Sequence, residues 1–123
     1  MSSHAQRRGE QGENLACSFL QRKGYQLIVR NYRIAGGEID LVMRDGSSLV
    51  FVEVKARTGS RYGYPEESVT RSKINRMSKT ARQFLCRYPM NTSYRFDIIA
   101  IERIDAAEPT ISHIENILDV SLY

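Results

Sequence analysis

Cysteine, long apolar runs and low-complexity stretches are all scarce in this chain, and each scarcity removes a class of protein. Cys17 and Cys86 are the two cysteines, too few and too isolated for a zinc site or a disulfide framework. Both read as free thiols in a reducing cytoplasm. No apolar run approaches the ~20 residues that a membrane-spanning helix needs, so no membrane partner is expected. Met1 to Glu10 has basic residues but no apolar core after them, which argues against a secretory signal. Neither repeats nor linkers break up the 123 residues, a length that suits one domain spanning 1–123 with a core of its own. The net charge is only +4. Acidic residues are nonetheless missing from one stretch, where Arg71, Lys73, Arg76, Lys79, Arg82 and Arg87 follow one another with none between.

The pattern of apolar positions predicts a helix over about 8–23, with Leu15, Ala16, Phe19 and Leu20 on one face and Gly24 just past its end. A first strand follows over 25–33. Two more are expected over 38–43 and 49–56, joined by a tight turn at Asp45-Gly46 between apolar runs. Thr58 to Tyr64 reads as a loop. Pro65, Glu66 and Glu67 are expected to open a second helix, with acid near its positive end. Its stripe is Ile74, Met77, Ala81, Phe84, Leu85 and Tyr88, and Pro89 stops it. A strand over 93–102, a loop over 105–109 and a weaker edge strand over 111–118 complete the chain. The order α-β-β-β-α-β-β implies an α/β fold, a mixed sheet flanked by helices.

Two of these strands carry charges that a buried strand does not tolerate without a partner or a metal. Asp40 stands in one, and Glu53 and Lys55, separated from it by twelve residues, stand in the other. With Asp45-Gly46 as the loop, Val42 would pair with Leu49, Asp40 with Phe51 and Glu38 with Glu53. Side chains alternate with period two, so Glu38, Asp40, Glu53, Lys55 and Arg57 would share one face. Ile39, Leu41, Met43, Val50, Val52 and Val54 would form the core face. Asp40 and Glu53 then become diagonal neighbours roughly 7–8 Å apart, within reach of one cation. Hard oxygen ligands suit Mg2+ (or Mn2+), held by one or two carboxylates plus a substrate phosphate. Lys55 would steady negative charge developing on that phosphate. A one-residue change of register would move Asp40 to the other face.

The basic face of the second helix, with Arg71, Lys73, Arg76 and Lys79, could track a phosphate backbone, helped by Arg57 and by Tyr62 and Tyr64 in the loop. A solvated helix face would look the same. Glu13 alone reads as a solvated helix acid. Arg95 and Asp97 are expected to pair with each other, and His4 and His113 belong to no motif.

The runs Gly12-Glu13-Asn14-Leu15-Ala16, Asn31-Tyr32-Arg33, Gly37-Glu38-Ile39-Asp40-Leu41-Val42, Phe51-Val52-Glu53-Val54-Lys55-Ala56-Arg57 and Arg95-Phe96-Asp97 closely resemble the YraN family of bacterial proteins. That family is similar to the archaeal Holliday-junction resolvases of the PD-(D/E)xK nuclease superfamily. The resemblance covers about 9–102 and implies a restriction-endonuclease-like core, magnesium dependence and a homodimer. It assigns Asp40, Glu53 and Lys55 to the superfamily signature, and Glu13 to the helix acid that completes the site. Ile39 stands where the signature has proline. The expected function is metal-dependent hydrolysis of DNA phosphodiesters on branched or structured substrates in recombination or repair. The alternatives are a nuclease acting on RNA and a non-catalytic nucleic-acid-binding protein using the basic helix 71–87.

Overall fold

The computed structural model describes residues 3–59 and 70–117. Tyr62, Tyr64 and the expected helix opening at Pro65, Glu66 and Glu67 lie outside them. Among the described residues the elements are α1 (His4–Arg22), β1 (Gln26–Ile34), β2 (Gly37–Asp45), β3 (Ser48–Ala56), α2 (Arg71–Arg87), β4 (Tyr94–Glu102) and β5 (Thr110–Ile114), in the expected order. The sheet runs β1-β2-β3-β4-β5. Neighbours are antiparallel except β3 and β4, which are parallel because α2 carries the chain across between them.

Local chemistry sets the helix ends. Ser3 caps α1 by accepting from the Gln6 amide while the Gln6 side chain accepts from the Ser3 amide, a reciprocal pair that starts the helix earlier than the apolar stripe does. At the other end Gly24 takes φ +97°. Its amide reaches Gln21 O, and the Tyr25 amide reaches Leu20 O, which closes the helix and turns Tyr25 back onto the core. Thr70 caps α2 by accepting from the Lys73 amide. This helix therefore begins at Arg71, where the hydroxyl and extended backbone of Thr70 supply the cap.

The sequence pattern implied one core face and one site face, whereas both faces of the sheet are core. On one, Ala16, Cys17 and Leu20 of α1 pack on Leu41, Met43, Val50, Val52, Ile99 and Ile101. On the other, Met77, Ala81 and Phe84 of α2 pack on Val42, Leu49, Phe51, Phe96 and Ile98. Leu49, Val50, Phe51 and Val52 are consequently all fully buried, as in a central strand covered on both sides.

The hairpin register also differs. Asp45 pairs with Ser48 and Val42 with Phe51, so the two-residue loop is Gly46-Ser47, not Asp45-Gly46. Gly46 takes φ +60°, the left-handed conformation that glycine adopts without strain, and this selects the later turn. The slip is two residues, which keeps the strand parity and brings Asp40 level with Glu53. Ile39 is a second departure. It packs beside Val42 on the α2 face, not with Leu41 and Met43. The alternation breaks at Asn31 of β1, which has φ +54° and lies between the pairs Arg30–Leu41 and Tyr32–Ile39. At the far edge β5 stops at Ile114, and Ile117 folds back to donate to Phe96 O.

Candidate functional site

Asp40 sits where β2 and β3 part. Their pairing runs as far as Leu41–Val52, and Asp40 is the next residue. Its Oδ2 accepts from the Val54 amide at 2.8 Å, so a carboxylate replaces the backbone as the last rung of the ladder. This position borders two grooves. One, on the α2 side, is walled by Arg33, Gly37, Glu38, Asp40, Glu53, Lys73 and Arg76. The other, on the α1 side, is walled by Arg8, Glu13, Asp40, Glu53, Lys55 and Ala56.

Two glycines allow the helices to approach this closely. A Cβ on Gly37 would lie 2.1 Å from Thr80 Oγ1 and 3.1 Å from Arg76 O, so β2 meets α2 backbone to backbone there. A Cβ on Gly12 would lie 3.1 Å from Ala56 Cβ, so α1 rests directly on the end of β3 and carries Glu13 to the second groove.

The electrostatics of the cleft are dominated by Asp40. Burial pushes its carboxyl up to about 7, repulsion from Glu53 adds to the rise, the Val54 amide opposes it, and Glu13 and Glu38 contribute further repulsion. Glu53 is only 8% exposed and has two cations on a single oxygen. Lys73 Nζ lies 2.5 Å and Lys55 Nζ 3.6 Å from Glu53 Oε1. The two lysines respond in opposite directions. Burial, then the contact and repulsion of Lys73, lower Lys55 below the usual lysine range. Burial would lower Lys73 as well, but its contacts with Glu53 and Lys55 and the charges of Glu53 and Asp40 together outweigh that and raise it.

Of the residues singled out by sequence, Asp40, Glu53 and Lys55 share one wall, and Glu13 faces the same groove. Glu13 Oε1 is held by Asn31 Nδ2 at 3.1 Å and Arg30 Nη2 at 3.4 Å. Among the described residues the three-residue set whose ligand atoms all fall within 4.8 Å of one another is Asp97, His113 and Glu115, so Glu13 does not close to that spacing with Asp40 and Glu53. Lys73, expected among the residues that could track a phosphate backbone, bonds Glu53. Arg76 lines the α2-side groove, while Arg71 and Lys79 are exposed on α2 away from its wall, and Arg57 is half-buried at the end of β3.

A profile of the uncharacterised protein family UPF0102, the YraN family, matches residues 12–101. The chain belongs to this family. A UPF0102 protein of Geobacter sulfurreducens (GSU0650) is 44% identical over 98% of this chain and 94% of its own length. Relatives in Herminiimonas arsenicoxydans (HEAR0176) and Symbiobacterium thermophilum (STH1475) are 50% and 46% identical, covering 76% and 80% of this chain and 76% and 84% of their own. No helix of this UPF0102 chain is long and apolar enough, among the described residues, to cross a membrane.

The remaining charged cluster of the UPF0102 chain lies on the α1 face. Asp97 is fully buried and accepts from Arg95 Nε at 3.1 Å and from the Asn116 amide at 2.9 Å, so the expected pairing of Arg95 with Asp97 holds. His113 Nε2, for which sequence gave no role, sits 2.8 Å from Asp97 Oδ2. Arg95 also reaches Tyr25, Asp45 and Glu115. A guanidinium already at the centre of these acids makes the cluster an ion-pair network, buried at Asp97 and open at Asp45 and Glu115, that pins β5 to β4 and is not a second cation site. Arg8 and Arg33 were missed at the other site. Each lies in a groove wall that only the fold assembles, and no local pattern distinguishes them from other surface arginines.

Proposed function

We propose that this UPF0102 protein is a metal-dependent endonuclease that hydrolyses DNA phosphodiesters, acting on branched or otherwise structured DNA in recombination or repair. The observation that carries the reading is Asp40. A carboxyl pushed up to about 7, half-buried beside Glu53 and sharing a groove with Glu13, is a concentration of negative charge that a cation would relieve. The donor set fits a hard divalent ion such as Mg2+ or Mn2+, being carboxylates with no thiol or imidazole among the described residues of either groove wall. Asp40 and Glu53 would hold it, with Glu13 assisting from α1. When bound, such an ion supplies Lewis acidity toward a phosphate and an activated water.

The chain's own residues do the rest. The Val54 amide fixes the orientation of the Asp40 carboxylate. Lys55, on the groove side of Glu53, is placed to steady charge on the scissile phosphate. Arg8 in one groove and Arg33 and Arg76 in the other set cations on both sides of the carboxylates, which suits a strand laid across them. The resemblance to junction resolvases supports structured DNA as substrate and a homodimer as the active form, and the free thiols of Cys17 and Cys86 support the cytoplasm as the compartment.

The test is cleavage of labelled single-stranded, duplex, flapped and four-way-junction DNA, and of RNA, in Mg2+, Mn2+ or chelator. Asp40→Asn and Lys55→Ala should each remove metal-dependent cutting, with nucleic-acid binding retained. An Asp40→Asn protein that cuts like the parent overturns the reading. Binding without cutting in any metal would favour a nucleic-acid-binding module.

A further inference from the structure

Lys73 is the residue whose position departs furthest from its expected role. Its backbone is fixed, because its amide is the one that Thr70 caps at the start of α2. Its side chain crosses from that first turn to Glu53, and its Nζ is the nearer of the two ammonium groups on Oε1. The side chain is still 24% exposed and borders the open groove beside Arg33 and Arg76. A flexible four-carbon stem can therefore release Glu53 without moving the helix.

We propose that Lys73 is a built-in counter-cation, occupying Glu53 when no divalent ion is bound and giving way when one enters. This rests on the reading of Asp40 and Glu53 as metal ligands, and it adds a positioning residue that the signature Asp40, Glu53 and Lys55 does not contain. The physical need is plain. Glu53 is nearly buried between two strands, and a buried carboxylate without a partner is costly. Asp40 cannot relieve it, since the two repel. An ammonium on Oε1 keeps the site folded before metal arrives, at the cost of competing with the metal for the same oxygen. Lys55 cannot substitute fully, because it lies 3.6 Å from Oε1 where Lys73 lies at 2.5 Å. The displaced ammonium remains tethered in the α2-side groove, where it adds to the charge of Arg33 and Arg76.

The experiment is Mn2+ binding without nucleic acid, followed by the loss of the free-ion paramagnetic resonance signal. The proteins are the parent, Lys73→Met, Lys73→Arg and Asp40→Asn. Lys73→Met should bind Mn2+ about tenfold more tightly than the parent, because no ammonium has to leave. Lys73→Arg should keep the parent's weaker affinity. In the melting curve, Lys73→Met should be less stable than the parent in chelator and gain more from Mn2+. Equal or weaker Mn2+ binding by Lys73→Met, with Asp40→Asn still reducing affinity, overturns the counter-cation and leaves the metal site standing. No Asp40-dependent binding in either the parent or Lys73→Met overturns both.

Discussion

Replacing Asp40 by asparagine should make the protein more stable while abolishing its proposed chemistry, and the gain should depend on pH in a defined direction. The carboxyl is pushed from 3.8 up to about 7 by burial and by Glu53. The folded state therefore holds this proton more tightly than the unfolded chain does. Below about pH 4 Asp40 is protonated in both states and costs nothing. Between about pH 4 and pH 7 the unfolded chain releases the proton first, so stability from this group falls as pH rises, and above about pH 7 the loss is complete. At about 1.4 kcal/mol per unit, the ionised carboxylate costs the fold on the order of 4 kcal/mol. Asparagine is nearly the same size, keeps an oxygen for the Val54 amide, and presents an amide donor toward Glu53 in place of a charge.

The assay is thermal or urea unfolding of parent and Asp40→Asn from pH 4 to pH 8, in chelator so that no cation stabilises the parent. The two should coincide near pH 4, and the variant should pull ahead by a few kcal/mol near pH 8. Even ~1 kcal/mol would move Tm by about 3–6 °C in a protein of this size. Most substitutions at buried positions destabilise, so a stabilising one is diagnostic of a site where function has been kept at the expense of the fold. A variant less stable than the parent at pH 8, or a difference that does not change with pH, would refute the reasoning. It would mean that Asp40 is a structural group satisfied by its surroundings.

Gly37→Ala is expected to destabilise by about 1–3 kcal/mol, because the new methyl meets Thr80 Oγ1 at 2.1 Å and α2 must move off β2. Thr80→Ala in the same chain should recover part of that loss in a double-mutant cycle of unfolding free energies, and additive losses would show that the contact is not the cause. Asp97→Asn is expected to cost about 1–3 kcal/mol at pH 7, since Arg95 and His113 lose a fully buried charged acceptor while Arg95 keeps Asp45 and Glu115. Burial alone would raise the Asp97 carboxyl, but His113, the Asn116 amide and Arg95 hold it below its usual value. Its contribution is thus present above about pH 4 and is lost as pH falls through the depressed value, so parent and Asp97→Asn should converge in acid unfolding curves.

The elements that could be read from sequence were those whose signals are local. Gly24, the Ile74–Tyr88 stripe and the alternation in β2 and β3 each act within a few residues, and the topology followed from their order. Even the capping box of Ser3 and Gln6 was there to be found. Asp40 and Glu53 could be brought together because strand parity survives a two-residue slip of the turn, whichever of Asp45-Gly46 or Gly46-Ser47 forms the loop. Ile39 was misplaced because Asn31, a strand away, takes a left-handed conformation that no alternation rule anticipates. Lys73 and His113 have partners that were out of reach for a related reason. Each acquires its role from a carboxylate far off in sequence, Glu53 and Asp97, to which only the packing of α2 and β5 brings it. A local pattern can mark a residue that is out of place in its own strand, as Asp40 is. It cannot mark an ordinary helix lysine whose importance lies in which acid the fold sets in front of it, and that is why the cation nearest Glu53 was read only as one more member of a phosphate-tracking helix face.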